Sequence, residues 1–308
     1  MKYSDLEAAA AVLAANPPCF AVTPERHKTL LQVDTIFSEA NSDRSAELGQ
    51  FYRVRIDRAI REIAAYDGKT PRMWKLYSSG IIIKDACCTM GIDIADCVRS
   101  NARSTVTLTE KHISDLADIL DEYYCTHAHS DHIDPRLCDA MAARGKLMVM
   151  PRTALKSWIV PTATAAEDFI SDRVKTYINW QGSDEVKGLD CAMFLFTLSN
   201  GKRVFIRGDI YHRDGFNGCL EHIRAWGETV DYFFGSPYYT SGEAPFGLLE
   251  KEFDCRFVPI HEWEFDHRKQ DVTGPATQCF EELYNTLASP YAKGKAQFLL
   301  WGESIALD

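Results

Sequence analysis

Four side chains able to bind a metal ion stand together in the run Tyr123-Tyr124-Cys125-Thr126-His127-Ala128-His129-Ser130-Asp131-His132: His127, His129, Asp131 and His132. Imidazole and carboxylate ligands of this kind suit zinc, iron or manganese. On an α-helix His127 and His129 would point about 200° apart and could not share an ion. Beyond the end of a strand, expected here over residues 122–126, positions i and i+2 can converge. Asp131 and His132 then lie past the turn, free to bind a second ion. The chemistry open to such a cluster is activation of water by a bound cation. The competing reading, a surface histidine cluster without metal, is disfavoured by four ligands at this spacing. No Gly-x-Ser-x-Gly elbow occurs that would supply a serine nucleophile instead.

The elements around the cluster follow from periodicity. From residue 72 onward short apolar runs alternate with helical segments. Strands are expected at 73–77 and 80–84, around Ser78-Ser79-Gly80, and at 147–150. Asp134-Pro135 should open a helix that closes at Gly145. Residues 192–198 and 202–207 read as a hairpin about Asn200-Gly201, a strong turn signal. A helix at 217–226, strands at 230–235 and 256–260, a helix at 273–287 and a strand at 296–301 complete the series. Alternation of this kind specifies an α/β domain with layered, buried sheets.

The first 67 residues read as helical. Ser4-Asp5-Leu6-Glu7 has the form of a capping box, and Asn16-Pro17-Pro18 stops the helix it would open. Thr23-Pro24 starts a second helix, with Leu30, Val33, Ile36 and Phe37 at helical spacing. A third runs from about Asp43 to Tyr66. Its arginines, Arg53, Arg55, Arg58 and Arg61, form either an anion-binding face or, by preference, a solvated surface. This segment, residues 1–70, is expected to flank the main domain at 71–308 rather than fold alone.

Composition bounds the rest. With 308 residues, 46% hydrophobic and 25% charged, the chain is an ordinary globular one. Its 34 Lys and Arg against 44 Asp and Glu leave a net charge of −10, which disfavours nucleic acid as a partner. The ten cysteines contain no Cys-x-x-Cys pair. Residues 8–15 lack the positive flank of a signal peptide, and no run is long enough to span a bilayer. A cytoplasmic location, reduced thiols and a small-molecule substrate are therefore expected, with no membrane association.

The motif resembles the His-x-His-x-Asp-His signature of the metallo-β-lactamase superfamily. Phe205-Ile206-Arg207-Gly208-Asp209 is similar to that family's strand ending in Gly-Asp, and Phe257-Val258-Pro259-Ile260-His261 to its late strand ending in histidine. Trp74-Lys75-Leu76-Tyr77 and Gly80-Ile81-Ile82-Ile83 resemble its opening strands. The resemblance covers about residues 72–308, and the compact layout is most similar to the branch containing L-ascorbate 6-phosphate lactonase. It implies a four-layer αββα sandwich with an N-terminal helical segment. It also implies one or two divalent ions, zinc first and manganese or iron as alternatives. His127 and His129 would bind the first ion, Asp131, His132 and His261 the second, and Asp209 would bridge them.

The family's further histidine for the first ion has no counterpart, since no histidine occurs between residues 133 and 211. Asp184, Glu185, Asp190 and Cys191 lie in the corresponding region, with Asp190 and Cys191 preferred as substitutes. His267 could reach the mouth of the site, and His212 could support it. His27, His112 and His222 fall on expected helices. The loop 235–242, with Tyr238 and Tyr239, could line a pocket. The resemblance implies hydrolysis of an ester, lactone or phosphoester by a metal-bound hydroxide, with Asp131 ligating metal and handling the proton. The alternatives are a metal-binding protein with little hydrolase activity and, against the charge, a nuclease.

Overall fold

Most strands are apolar on both faces, so each sheet must be covered on both sides. The computed structural model describes residues 3–21, 23–40, 45–96, 106–158, 160, 162–183, 186–236, 245–265, 274, 280–281, 284–285 and 293–308. The strands are β1 (Arg72–Lys75), β2 (Ile81–Lys84), β3 (Thr89–Ile92), β4 (Glu122–Tyr124), β5 (Leu147–Met150), β6 (Thr164–Ala165), β7 (Val174–Ser183), β8 (Val186–Thr197), β9 (Arg203–Ile206), β10 (Tyr232–Gly235), β11 (Arg256–Pro259) and β12 (Ser304–Ala306). The helices are α1 (Tyr3–Ala15), α2 (Pro24–Ser38), α3 (Ser45–Ala65), α4 (Glu110–Ile119), α5 (Pro135–Ala143), α6 (Arg152–Trp158), α7 (Arg213–Ala225) and α8 (Pro245–Phe253).

The strands form a seven-stranded sheet, β12-β1-β2-β3-β4-β5-β6, and a five-stranded sheet, β11-β10-β9-β8-β7. Side chains alternate along each strand. Met73, Ile81, Ile83 and Tyr124 of the first sheet meet Phe194, Phe196, Val204 and Phe234 of the second between the sheets. Trp74, Ile82, Tyr123, Phe205 and Phe233 point the other way, into the helix-packed cluster. α5 packs against β5, and α7 against β7. The layers are therefore helix, sheet, sheet, helix.

The three N-terminal helices share their core with the sheets. Leu13, Leu30, Phe37, Tyr52 and Ile56 belong to the same buried cluster as Trp74, Tyr77 and Trp301. Two polar ties join them to the C-terminal part of the chain. Arg26 bonds Glu303 at 3.0 and 2.5 Å and the Phe298 carbonyl at 2.6 Å. Asp34 accepts from Trp263 Nε1 at 2.7 Å, Phe280 N at 2.8 Å and Glu281 N at 2.6 Å.

Three expectations are corrected. α1 begins at Tyr3, so Ser4 lies inside the helix and does not cap it. Residues 296–301 form no strand beyond a single bridge between Ala296 and Phe257. There, Arg26 takes the Phe298 carbonyl and Glu303 takes the Leu300 N–H, so side chains replace a ladder, and β12 follows instead. The hairpin arm expected at 192–198 is the end of a longer strand, β8, paired along its length with β7. The expected helix 273–287 lies largely outside the described residues. Among the described residues, no helix is long and apolar enough to cross a membrane.

Candidate metal centre

Parallel pairing gathers the site. β3 runs parallel to β4 and ends level with it, Ile92 opposite Tyr124. In the other sheet β9, β10 and β11 are parallel, with Gly235 opposite Pro259. The segments after β3, β4, β9 and β11 therefore emerge together at the carboxyl ends of their strands, where ligand sites of open α/β sheets form. Two hydrogen bonds tie the two sheets there: Ala192 N to Thr126 O at 2.7 Å, and His261 N to Ser78 O at 3.1 Å.

Two groups of three result. His127, His129 and Asp209 form one, and Asp131, His132 and His261 the other; within each, the ligand atoms lie within 4.8 Å of one another. In the first, His127 Nε2 is 3.1 Å from His129 Nδ1 and 3.6 Å from Asp209 Oδ2. In the second, Asp131 Oδ2 is 3.1 Å from His261 Nε2 and 3.4 Å from His132 Nε2. Asp209 Oδ2 also reaches His132 Nε2 at 3.5 Å and His261 Nε2 at 3.7 Å, so it stands between the groups. Ligands about 2.1 Å from a tetrahedral zinc ion are separated by about 3.4 Å. These separations suit that donor set.

The chain's own polar groups hold this arrangement. Asp93 accepts from Thr126 N at 2.7 Å and Thr126 Oγ1 at 2.7 Å, and lies 2.9 Å from His132 Nδ1. His132 Nε2 is buried with no hydrogen-bond partner, facing Asp131 and Asp209. A ring nitrogen oriented in this way by a carboxylate on the opposite nitrogen is what a metal ligand requires. Tyr211 Oη donates to Asp209 Oδ1 at 2.9 Å, which leaves Oδ2 to the histidines. Arg207, fully buried, donates to Ile210 O at 3.0 Å and Ser236 O at 2.7 Å and so pins the loop that carries Asp209. His261 itself has φ 73°, a left-handed conformation that costs on the order of 1–3 kcal/mol for a non-glycine residue.

Electrostatics also suit cations. Burial opposes ionisation of Asp209, yet His261, His132 and His127 hold its carboxyl well below the usual range. Burial acts the same way on Asp131, and His132 and His261 overcome it. Burial and the neighbouring His132 keep His127 neutral. Burial disfavours charge on His132, but Asp131, Asp209 and Asp93 together raise its pKa well above the ordinary value. A metal ion would take the place of that proton.

The other candidates fall elsewhere. Cys191 is buried behind Gly208, its thiol pushed far up by burial, and it joins neither group. Asp190 pairs across the ladder with Trp180 and also joins neither. Strand alternation turns these neighbours to opposite faces, which is why the two could not act together. His212 is a structural residue: its Nδ1 accepts from Gly215 N at the start of α7, and its ring stacks on Trp180 at 4.0 Å. Asp184, Glu185, His267 and residues 237–242 of the expected pocket loop lie outside the described residues. Asp93, Thr126 and Tyr211 were not anticipated. Only Tyr211 carried a signal, its position two residues after Asp209.

No family model matches the sequence, and no curated protein matches it. The structure does have solved counterparts. A possible metal-dependent hydrolase from Veillonella parvula superimposes with a TM-score of 0.54 at 11% identity, covering 77% of this chain and 98% of that one. An isothiocyanate hydrolase from Delia radicum gut bacteria gives 0.54 at 16% identity, covering 77% and 99%. A metallo hydrolase from the archaeon Ignicoccus hospitalis gives 0.50 at 15%, covering 78% and 99%. These likenesses span nearly the whole of each counterpart. The chain shares the fold of these counterparts, two sheets between helical layers in an αββα sandwich.

Proposed function

We propose that the protein is a metal-dependent hydrolase of a small ester, lactone or phosphoester. The observation that carries this reading is the position of Asp209 Oδ2, 3.5–3.7 Å from the Nε2 atoms of His127, His132 and His261. One carboxylate oxygen so placed would be available to both ligand groups. Divalent cations held there, zinc first with manganese or iron as alternatives, would lower the pKa of water towards about 7 and polarise a carbonyl or phosphoryl oxygen. His127, His129 and Asp209 would hold one ion, and Asp131, His132 and His261 the other. Asp131, against His261 at 3.1 Å, would orient the water and take its proton. Tyr211 keeps Asp209 Oδ1 occupied, so the shared oxygen stays fixed. Asp93 keeps His132 turned inward.

A second reading rests on the first group, which among the described residues has three members and no further histidine. Metal would then bind weakly there, and the chain would be a metal-binding protein with little turnover. Metal analysis with a hydrolysis panel separates the two. The panel comprises a p-nitrophenyl ester, a lactone, a phosphodiester and an isothiocyanate, the last because a protein of like fold bears that name. Two ions per chain with turnover of any member supports the hydrolase. About one ion per chain with no turnover of any member supports the alternative.

A further inference from the structure

The four arginines of α3 do not act alike. Arg58 pairs with Glu62 at 2.7 Å on the surface, and Arg61 is exposed. Arg55 turns inward, donating through Nε to the Trp301 carbonyl with its guanidinium 5.5 Å from the Phe51 ring. There it borders a small cleft open to solvent. Leu13, Pro17 and Pro18 are among its apolar lining, and Arg55, Arg72 and Ser304 among its polar lining. Arg72 donates to Ser304 Oγ at 2.9 Å and lies 5.5 Å from the Tyr66 ring.

The charges in the cleft are unbalanced. Its two carboxylates are already engaged, Glu62 by Arg58 and Glu303 by Arg26 and the Leu300 N–H. Among the described residues, no carboxylate lies within ion-pair distance of Arg55 or Arg72. Burial works against charge on Arg55, and Glu303 offsets this only in part. A guanidinium keeps its charge at any ordinary pH, so Arg55 and Arg72 face a small space with no ion-pair partner of their own among the described residues. This occurs in a chain of net charge −10, so a general excess of basic residues does not account for it. None of the residues lining the cleft belongs to the metal-ligand groups.

We propose that this cleft binds a small organic oxyanion. Its carboxylate or phosphate is gripped between Arg55 and Arg72, and its apolar part lies against Leu13, Pro17 and Pro18. Guanidinium forks match both oxyanions in shape, and the apolar lining residues offer contact to the rest of the ligand.

Calorimetric titration of the full, metal-loaded chain tests this, with inorganic phosphate and with butyrate as probes and sodium chloride holding ionic strength constant. Saturable binding is expected to weaken by about tenfold or more in Arg72→Gln, and part of the loss to return in Arg72→Lys. Arg55→Gln should behave like Arg72→Gln; the half-buried Arg72 serves if Arg55→Gln does not fold. The binding that Arg72→Gln removes should persist in Asp131→Ala, which is altered only at the metal centre. Arg72-dependent saturation by phosphate alone identifies the ligand as a phosphate ester, and by butyrate alone as a carboxylic acid. Undiminished binding in Arg72→Gln, loss of the Arg72-dependent binding in Asp131→Ala, or no saturable heat at millimolar levels of either probe overturns the proposal.

Discussion

Asp93 Oδ2 lies 2.9 Å from His132 Nδ1, with both side chains almost fully buried. The two residues are far apart in sequence and meet because β3 and β4 end side by side. The carboxylate fixes the ring and also takes both Thr126 donors. Asp93→Asn should therefore lower metal affinity by about 10–100-fold while the fold persists. Asparagine tolerates the left-handed φ of 47° at this position, so the backbone is little disturbed. Metal titration alongside circular dichroism checks it. Unaltered affinity would show that His132 needs no orienting partner.

Asp131 has 1% exposure and faces both His132 and His261. Asp131→Ala should abolish turnover and empty the second group of ions while His127, His129 and Asp209 remain. Metal content per chain and initial rates on whichever ester, lactone or phosphoester is turned over are the measurements. Turnover at the natural rate would sink the assignment.

Gly208 has φ 58°, and a Cβ placed there would lie 2.6 Å from Cys191 Sγ and 2.8 Å from Thr126 Cβ. Gly208→Ala should destabilise the chain by about 2–4 kcal/mol, from overpacking and the left-handed backbone together. Adding Cys191→Ala should restore part of the loss by removing the sulfur. Chemical denaturation of the three chains measures both effects. A single variant as stable as the natural chain would contradict the contact.

Burial lifts the Asp34 carboxyl from 3.8 to about 6, against the three N–H donors, Phe280 N, Trp263 Nε1 and Glu281 N, that favour its charge. The native state then holds a proton that the unfolded chain has lost. This contribution to stability is complete below pH 3.8 and disappears as pH rises through about 6. Denaturation midpoints across that window should fall more steeply with pH for the natural chain than for Asp34→Asn. Parallel curves would refute the shift.

The local features of this protein were legible in chain order. The run from His127 to His132 declares its chemistry through residue type and spacing, because i and i+2 can meet only off a helix. Apolar alternation announced β1, β2, β9, β10 and β11, and Asn200-Gly201 announced the hairpin. Pro24 and Pro135 marked helix starts because proline suits the first turn. The sequence was also sufficient, through the resemblance, to single out Asp209 and His261 as companions of the motif.

Only the folded chain decided which distant groups share a space. Parallel register between β3 and β4 brought Asp93 under His132, and nothing near residue 93 signals that pairing. Alternation along β8 fixed Cys191 behind Gly208 and turned Asp190 the other way. A strand at 296–301 was plausible from its apolar residues, yet Arg26 and Glu303 claimed backbone groups that a ladder would have used. The same packing turned Arg55 away from its helix neighbours and into the cleft that Arg72 also lines. Spacing along a chain dictates what a residue can do within one element, whereas strand register and the order of layers dictate whom it meets.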